Sequence, residues 1–245
     1  MSTDDSASQS GSDLSRSLLD VIDRFLSQID WSRLSKWFED AFKDYIEAAR
    51  QLADKGWTVP EWMDLTASKE LCKLSPKDLD DLFMAEYTKN DCKVLREQIG
   101  HLTEIPEMVQ WNALLIEIRE SLIAGRHLVT VPALLTVLEG YAVTHVLKLP
   151  GTNVQKLFDK AGFHRRGGIW AIPAISTMHF LKRLFEESPF HQEPPQFINR
   201  YWVMHGRDHC KWTPADAFRL LNALETLRWA FEIQVEMATL DSAMN

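Results

Sequence analysis

Thr213-Pro-Ala-Asp-Ala-Phe-Arg-Leu-Leu-Asn-Ala-Leu-Glu-Thr-Leu-Arg-Trp-Ala-Phe231 is the stretch whose reading decides the fold. A threonine followed by a proline is a helix start: the hydroxyl caps free N–H groups, and proline fits the first helical position. Beyond it Phe218, Leu221, Leu224, Leu227 and Phe231 recur every three or four residues, with Trp229 beside them. That spacing draws one apolar stripe along a helix. The stripe is unusually rich, so either a core or a second copy of the chain must cover it.

Working upstream, the same period returns almost everywhere. Residues 1–12 are rich in Ser and Asp with no large apolar side chain, and are expected to be a disordered leader. Leu14, Leu18, Leu19, Ile22, Phe25, Leu26 and Ile29 form a first helical stripe. Leu34, Phe38, Phe42, Tyr45, Ala49 and Leu52 form a second, which Gly56 is placed to end. Gly56-Trp-Thr-Val-Pro60 reads as extended, because a proline pushes the residue before it out of the α region. Ser75-Pro76 opens a helix carrying Leu79, Leu82, Phe83 and Tyr87, then Val94, Leu95 and Ile99 after a bend. Further helices are expected over Met108–Ile123, from Val131-Pro132 through Val146, around Val154–Phe158, and over Ala174–Phe185. No alternating strand pattern of any length appears, so the fold class is all-α. The expected division is the leader, an N-terminal helical region at 13–105, and a larger helical bundle at 106–245.

Composition narrows the function. A net charge of -8 argues against broad, sequence-independent nucleic-acid binding, which needs many Lys and Arg, but leaves room for a small basic site. Cys72, Cys92 and Cys210 are odd in number, follow no metal-ligand spacing and have no secretory leader ahead of them. A reducing, cytoplasmic setting is expected. No uncharged apolar run approaches the roughly 20 residues that span a bilayer, so no membrane association is expected. Nine Trp favour a large core or an oligomer interface.

The candidate chemistry lies just ahead of the terminal helix, in Phe197-Ile-Asn-Arg-Tyr-Trp-Val-Met-His-Gly-Arg-Asp208. Arg200 and His205 stand five positions apart, after Pro194-Pro195 and before Gly206. On a regular helix that spacing turns the two side chains about 140° from each other, so convergence needs a long arginine or an irregular helix. Spacing alone proves little: Arg96 and His101 match it as well, on what reads as a solvated helix face. The plain structural alternative is that Arg200 caps a carboxylate such as Glu139 while His205 is a satisfied core histidine. Glu139 is conspicuous because it interrupts an apolar helix, which puts it on the solvent face or holds it buried for a purpose.

Asn199-Arg200-x4-His205-Gly206-Arg207, between two helices and followed by a long apolar helix, resembles the HEPN superfamily, whose hallmark is an Arg, a few residues and a His. The likeness extends less specifically over about residues 108–240. Gly56-Trp57-x-x-Pro60 and Leu138-Glu139-Gly140 are similar to segments of a bacterial subgroup. The resemblance implies a HEPN-type helical bundle on the C-terminal side, with an added N-terminal helical region. It also implies metal-independent cleavage of RNA, in which the 2′-hydroxyl attacks the adjacent phosphate and leaves a 2′,3′-cyclic phosphate and a 5′-hydroxyl.

The residue types suit that reaction. An imidazole exchanges protons near neutrality, and a guanidinium keeps its charge and offers paired donors to phosphoryl oxygens. The implied catalytic set is Arg200, His205, Asn199 and Glu139, with Arg207, Arg165 and Arg166 holding flanking phosphates; no metal or other cofactor is implied. Two protomers sharing one composite active site are implied too, as is a toxin or antiviral effector governed by an antitoxin or other regulatory protein. Tyr201, directly after the arginine, and Val143, four positions after Glu139, depart from the pattern of many HEPN nucleases. They keep open a catalytically silent HEPN-like scaffold that binds a nucleotide or a protein. A structural all-α adaptor is the third reading.

Overall fold

The computed structural model describes residues 31–146, 171–191, 193, 195–209 and 211–244. The stripe over residues 14–29, the helix expected near Val154–Phe158 and the pair Arg165-Arg166 lie outside the described residues. All regular structure among the described residues is helical, with no strand, so the chain is all-α. Its contacts divide it into two compact units, residues 1–41 and residues 42–245. Of the first unit, the described part is the beginning of a helix, α1 (Trp31–Asp54).

In the second unit, α1 ends where Gly56 takes a φ of 95°, which a residue with a Cβ rarely adopts. The glycine is also needed for space, since a Cβ there would stand 2.8 Å from Nε of Arg219. The chain then runs extended through the protein, with Trp57, Thr58 and Val59 wholly buried. Trp57 stacks on Phe83 at 4.1 Å between ring centroids, and its indole N–H donates to Asp80 at 2.9 Å. The Val59 N–H donates to Ser176 Oγ at 2.9 Å. Asn222 donates to the Thr58 carbonyl at 2.9 Å and to Thr58 Oγ1 at 2.7 Å, and accepts from the Tyr87 hydroxyl at 3.0 Å. A buried extended segment outside any sheet must find side-chain partners for its backbone, and these polar residues supply them.

A single turn, α2 (Ser68–Leu71), leads to α3 (Pro76–Glu104), capped by Ser75 with proline in the first position, as expected. The expected bend falls at Lys89–Cys92, where Asn90, Asp91 and Cys92 leave the helical conformation for φ of 52° to 57°. Leu79, Phe83, Tyr87, Leu95 and Ile99 are buried, whereas Leu82 is exposed. A short 3₁₀ turn (Pro106–Trp111) opens α4 (Asn112–Ile123), and Gly125 ends it at φ 70°.

The next helix, α5 (His127–Tyr141), starts four residues before the expected Val131-Pro132 opening and continues as a π-helical turn (Ala142–Val146). Pro132 therefore sits inside the helix. It can donate nothing to the carbonyl of Leu128, a residue that is itself exposed. Then come α6 (Ala171–Leu184), the short α7 (Arg200–Met204) and α8 (Pro214–Met244).

Helix α8 is the centre of the packing, in contact with α5, α6 and α3, while α4 bridges α3 and α5. Phe218, Leu221, Leu224 and Leu227 join one core that draws residues from Ala49 to Leu227, so the core runs across the boundary expected near 105. His127–Val146 is long and apolar enough by composition to cross a membrane. Its Val131, Leu134, Leu135, Val137 and Leu138 are wholly buried in this core, while Leu128 and Val129 are exposed.

Candidate functional site

Helix α7 is only five residues long, and its two ends are held separately. At the start, Asn199 Oδ1 accepts from the N–H groups of Tyr201 at 3.0 Å and Trp202 at 3.3 Å. Its Nδ2 donates to the Glu186 carbonyl at 2.9 Å, tying α7 to the chain beyond α6. Asn199 is 3% exposed. Its Oδ1 and one of its two Nδ2 N–H groups are bonded to backbone, so it acts as an N-cap. At the other end Gly206 takes a φ of 64°, the Arg207 N–H reaches the Trp202 carbonyl at 2.8 Å, and the Gly206 N–H reaches Val203 at 3.0 Å. That pair of bonds is a Schellman stop, which explains why a glycine follows the histidine.

With Trp202 and Val203 turned into the core, the other positions face outward. Arg200, the first helical residue, meets Glu139 of α5 in a forked pair: Nε to Oε2 and Nη2 to Oε1, both 2.9 Å. Each side chain is 26% exposed. The carboxylate in the apolar helix thus has its purpose, neutralising and orienting one guanidinium. Two of the five guanidinium N–H groups are engaged, and three remain. Beside Glu139, Gly140 lets the Trp111 ring lie against α5; a Cβ there would come 2.5 Å from Trp111 Cζ2.

His205 closes α7 and is exposed, so it is not a core histidine. Its ring lies 5.1 Å from Tyr201 and 5.4 Å from Phe190, centroid to centroid. The Arg207 guanidinium stands 5.2 Å over the Phe190 ring. Phe190 and Tyr201 are each 38% exposed and Met204 is 42% exposed, which makes an aromatic rim with a cation in it. No hydrogen bond joins His205 to Arg200, Asn199 or Glu139 among the described residues. Just beyond, burial and the nearby Asp216 carboxylate push the Asp208 carboxyl above the usual range.

No family model, curated protein or solved structure matches the chain.

The structure therefore brings Arg200 and Glu139 together and sets His205 and Arg207 on an adjoining aromatic rim, while Arg165 and Arg166 lie outside the described residues. The competing pair diverges: Arg96 bonds the Asp91 carbonyl at 2.9 Å and its carboxylate at 3.4 Å, and His101 lines a separate pocket. Phe190 escaped the sequence reading. Nothing in its neighbourhood signals that a residue 15 positions upstream packs on the histidine.

Proposed function

We propose that the chain is a metal-independent endoribonuclease of HEPN type, cutting single-stranded RNA at the corner shared by Arg200, Glu139 and His205. The observation that supports this most is the forked Glu139–Arg200 pair at the start of the same short helix that ends in an exposed imidazole. In this reading the three free guanidinium N–H groups receive phosphoryl oxygens as negative charge builds on them. His205 takes the proton of the 2′-hydroxyl as the 2′-oxygen bonds to phosphorus, and the bond to the 5′-oxygen breaks as that oxygen receives a proton from a second, protonated imidazole. The exposed Phe190 and Tyr201 rings offer unpaired bases a surface to stack on, and Arg207 holds a flanking phosphate.

One imidazole cannot take a proton and give another in the same step. A second protomer facing the first would supply the complementary histidine, giving a composite site in a homodimer. An acidic protein of net charge -8 that cuts only when two corners meet suits a toxin or antiviral effector restrained by a partner protein. A second reading, a catalytically silent scaffold binding RNA or a nucleotide at the same corner, draws on the neutralisation of Arg200 by Glu139 and the lack of a bond from His205 to it. End-labelled single-stranded RNA incubated with the protein in excess EDTA separates them. The proposal expects cleavage that His205→Ala abolishes without loss of helix content. Intact RNA, or equal cleavage by the variant, overturns it, and binding without cleavage favours the scaffold.

A further inference from the structure

An imidazole that moves protons is commonly aimed by a hydrogen bond from its second ring nitrogen to a carboxylate or a carbonyl. Among the described residues the His205 ring meets other rings instead. Tyr201 lies 5.1 Å away and Phe190 5.4 Å, between centroids. Tyr201 stands four positions earlier on α7, the spacing at which helical side chains meet, so it belongs to the same short helix as the group it touches. Phe190 arrives from the segment after α6 and is the support from outside.

The Phe190 ring makes four directed contacts. It meets His205 with 70° between the planes and lies tilted against Tyr201 at 5.7 Å and 39°. It stands nearly edge-on to the buried Trp202, at 5.7 Å and 76°, which anchors it on the core side of α7. The Arg207 guanidinium lies over it at 5.2 Å. Aromatic pairs favour edge-to-face and offset arrangements, and a cation favours the ring face, so such contacts set an angle as well as a place. The segment that carries Phe190 is itself tied down. The Glu186 N–H closes on the Arg183 carbonyl at 3.3 Å as α6 ends, and the Glu186 carbonyl accepts from Asn199 at 2.9 Å. Asn199 caps the start of α7, so the segment is bonded at one end of that helix while Phe190 packs on the residue that closes the other.

We propose that Phe190 is the positioning residue of this corner: its ring fixes the direction of the His205 imidazole and the place of the Arg207 guanidinium, the part a carboxylate plays beside other proton-moving histidines. The kinetic consequence rests on the ribonuclease reading, whereas the hold on His205 is measurable without RNA. A catalytic group misplaced by about 1 Å can cost about 100-fold in rate. Loss of a surface that only stacks bases would instead weaken binding and spare the chemical step.

The test has two arms on the full chain, each with Phe190→Leu, which keeps apolar bulk, and Phe190→Tyr, which keeps the ring. In the first, NMR three-bond couplings about χ1 of His205 are measured, its signals being assigned by their loss in His205→Ala. The wild type and Phe190→Tyr should show the values of one staggered rotamer, and Phe190→Leu averaged values. In the second, cleavage of single-stranded RNA in EDTA is followed at steady state. Phe190→Leu should lower kcat about 10-fold or more with a smaller change in KM, and Phe190→Tyr should recover most of the loss. A single His205 rotamer retained in Phe190→Leu, or a raised KM with kcat unchanged, would overturn the proposal. Intact RNA after wild-type treatment removes the ribonuclease reading, and the couplings then decide the role of Phe190 by themselves.

Discussion

Replacing Glu139 and Arg200 by glutamine, singly and together, tests whether their pair is a working strut or a decoration. Both forks are 2.9 Å and each side chain is 26% exposed, so the charges are neither free in water nor sealed from it. Two unit charges about 4 Å apart attract by about 4 kcal/mol at an effective dielectric constant of 20. Partial desolvation and the ordering of two long side chains remove much of that. Exposed pairs retain about 0.2–1 kcal/mol, while hydrogen bonds to charged groups are worth about 1.5–3 kcal/mol. A forked, three-quarters buried pair belongs between these limits, so a double-mutant cycle by urea unfolding should give a coupling of about 1–2 kcal/mol. Raising the salt to 1 M, where the Debye length is about 3 Å, should reduce it visibly. A coupling below about 0.3 kcal/mol, within the scatter of independent sites, would refute the claim that Glu139 holds the guanidinium in place. If cleavage depends on that orientation, Glu139→Gln should also lower the cleavage rate by about 10- to 100-fold while the helix content stays intact.

Three other expectations concern the frame. Asn222→Ala removes the buried acceptor of the Tyr87 hydroxyl and the donor to the Thr58 carbonyl, and should cost about 2–4 kcal/mol in urea unfolding. Gly140→Ala drives a methyl into the Trp111 ring, and should lower stability by about 1–3 kcal/mol despite the better helix propensity of alanine; a rise in Tm would contradict the packing described. Asp208 holds its proton more tightly in the folded protein than in the unfolded chain, so what it adds to stability is present below the unfolded carboxyl pKa and is lost as pH rises through its raised value. Asp208→Asn should therefore flatten the fall in stability between the unfolded carboxyl pKa and the raised folded one, as followed by Tm against pH.

Helix positions were legible because the apolar period of α8, α3 and α4 is the same pattern that buries their side chains. The start of α5 was not. A proline usually marks the first turn, yet here the missing donor falls opposite an exposed residue, and the helix tolerates Pro132 in its interior. Helix α3, placed ahead of the expected boundary near 105, contributes to the same core as α8, which no local pattern announces. At the candidate site, the partnership of Glu139 with Arg200 was readable from a lone carboxylate in an apolar helix. The role of Asn199 was not, since an asparagine before an arginine looks alike whether it caps a helix or touches a substrate. Only the two N–H groups it accepts from distinguish the cases. The aromatic rim around His205 depends on Phe190 arriving from a separate segment, information that resides in tertiary packing alone.

The measurement that bears most directly on the function is the chemical identity of the RNA ends made in EDTA, read by mass spectrometry of the fragments. The account predicts 2′,3′-cyclic phosphate and 5′-hydroxyl ends from the wild-type chain, with neither produced by His205→Ala. Full-length RNA after wild-type treatment, or the same ends from the variant, would contradict it.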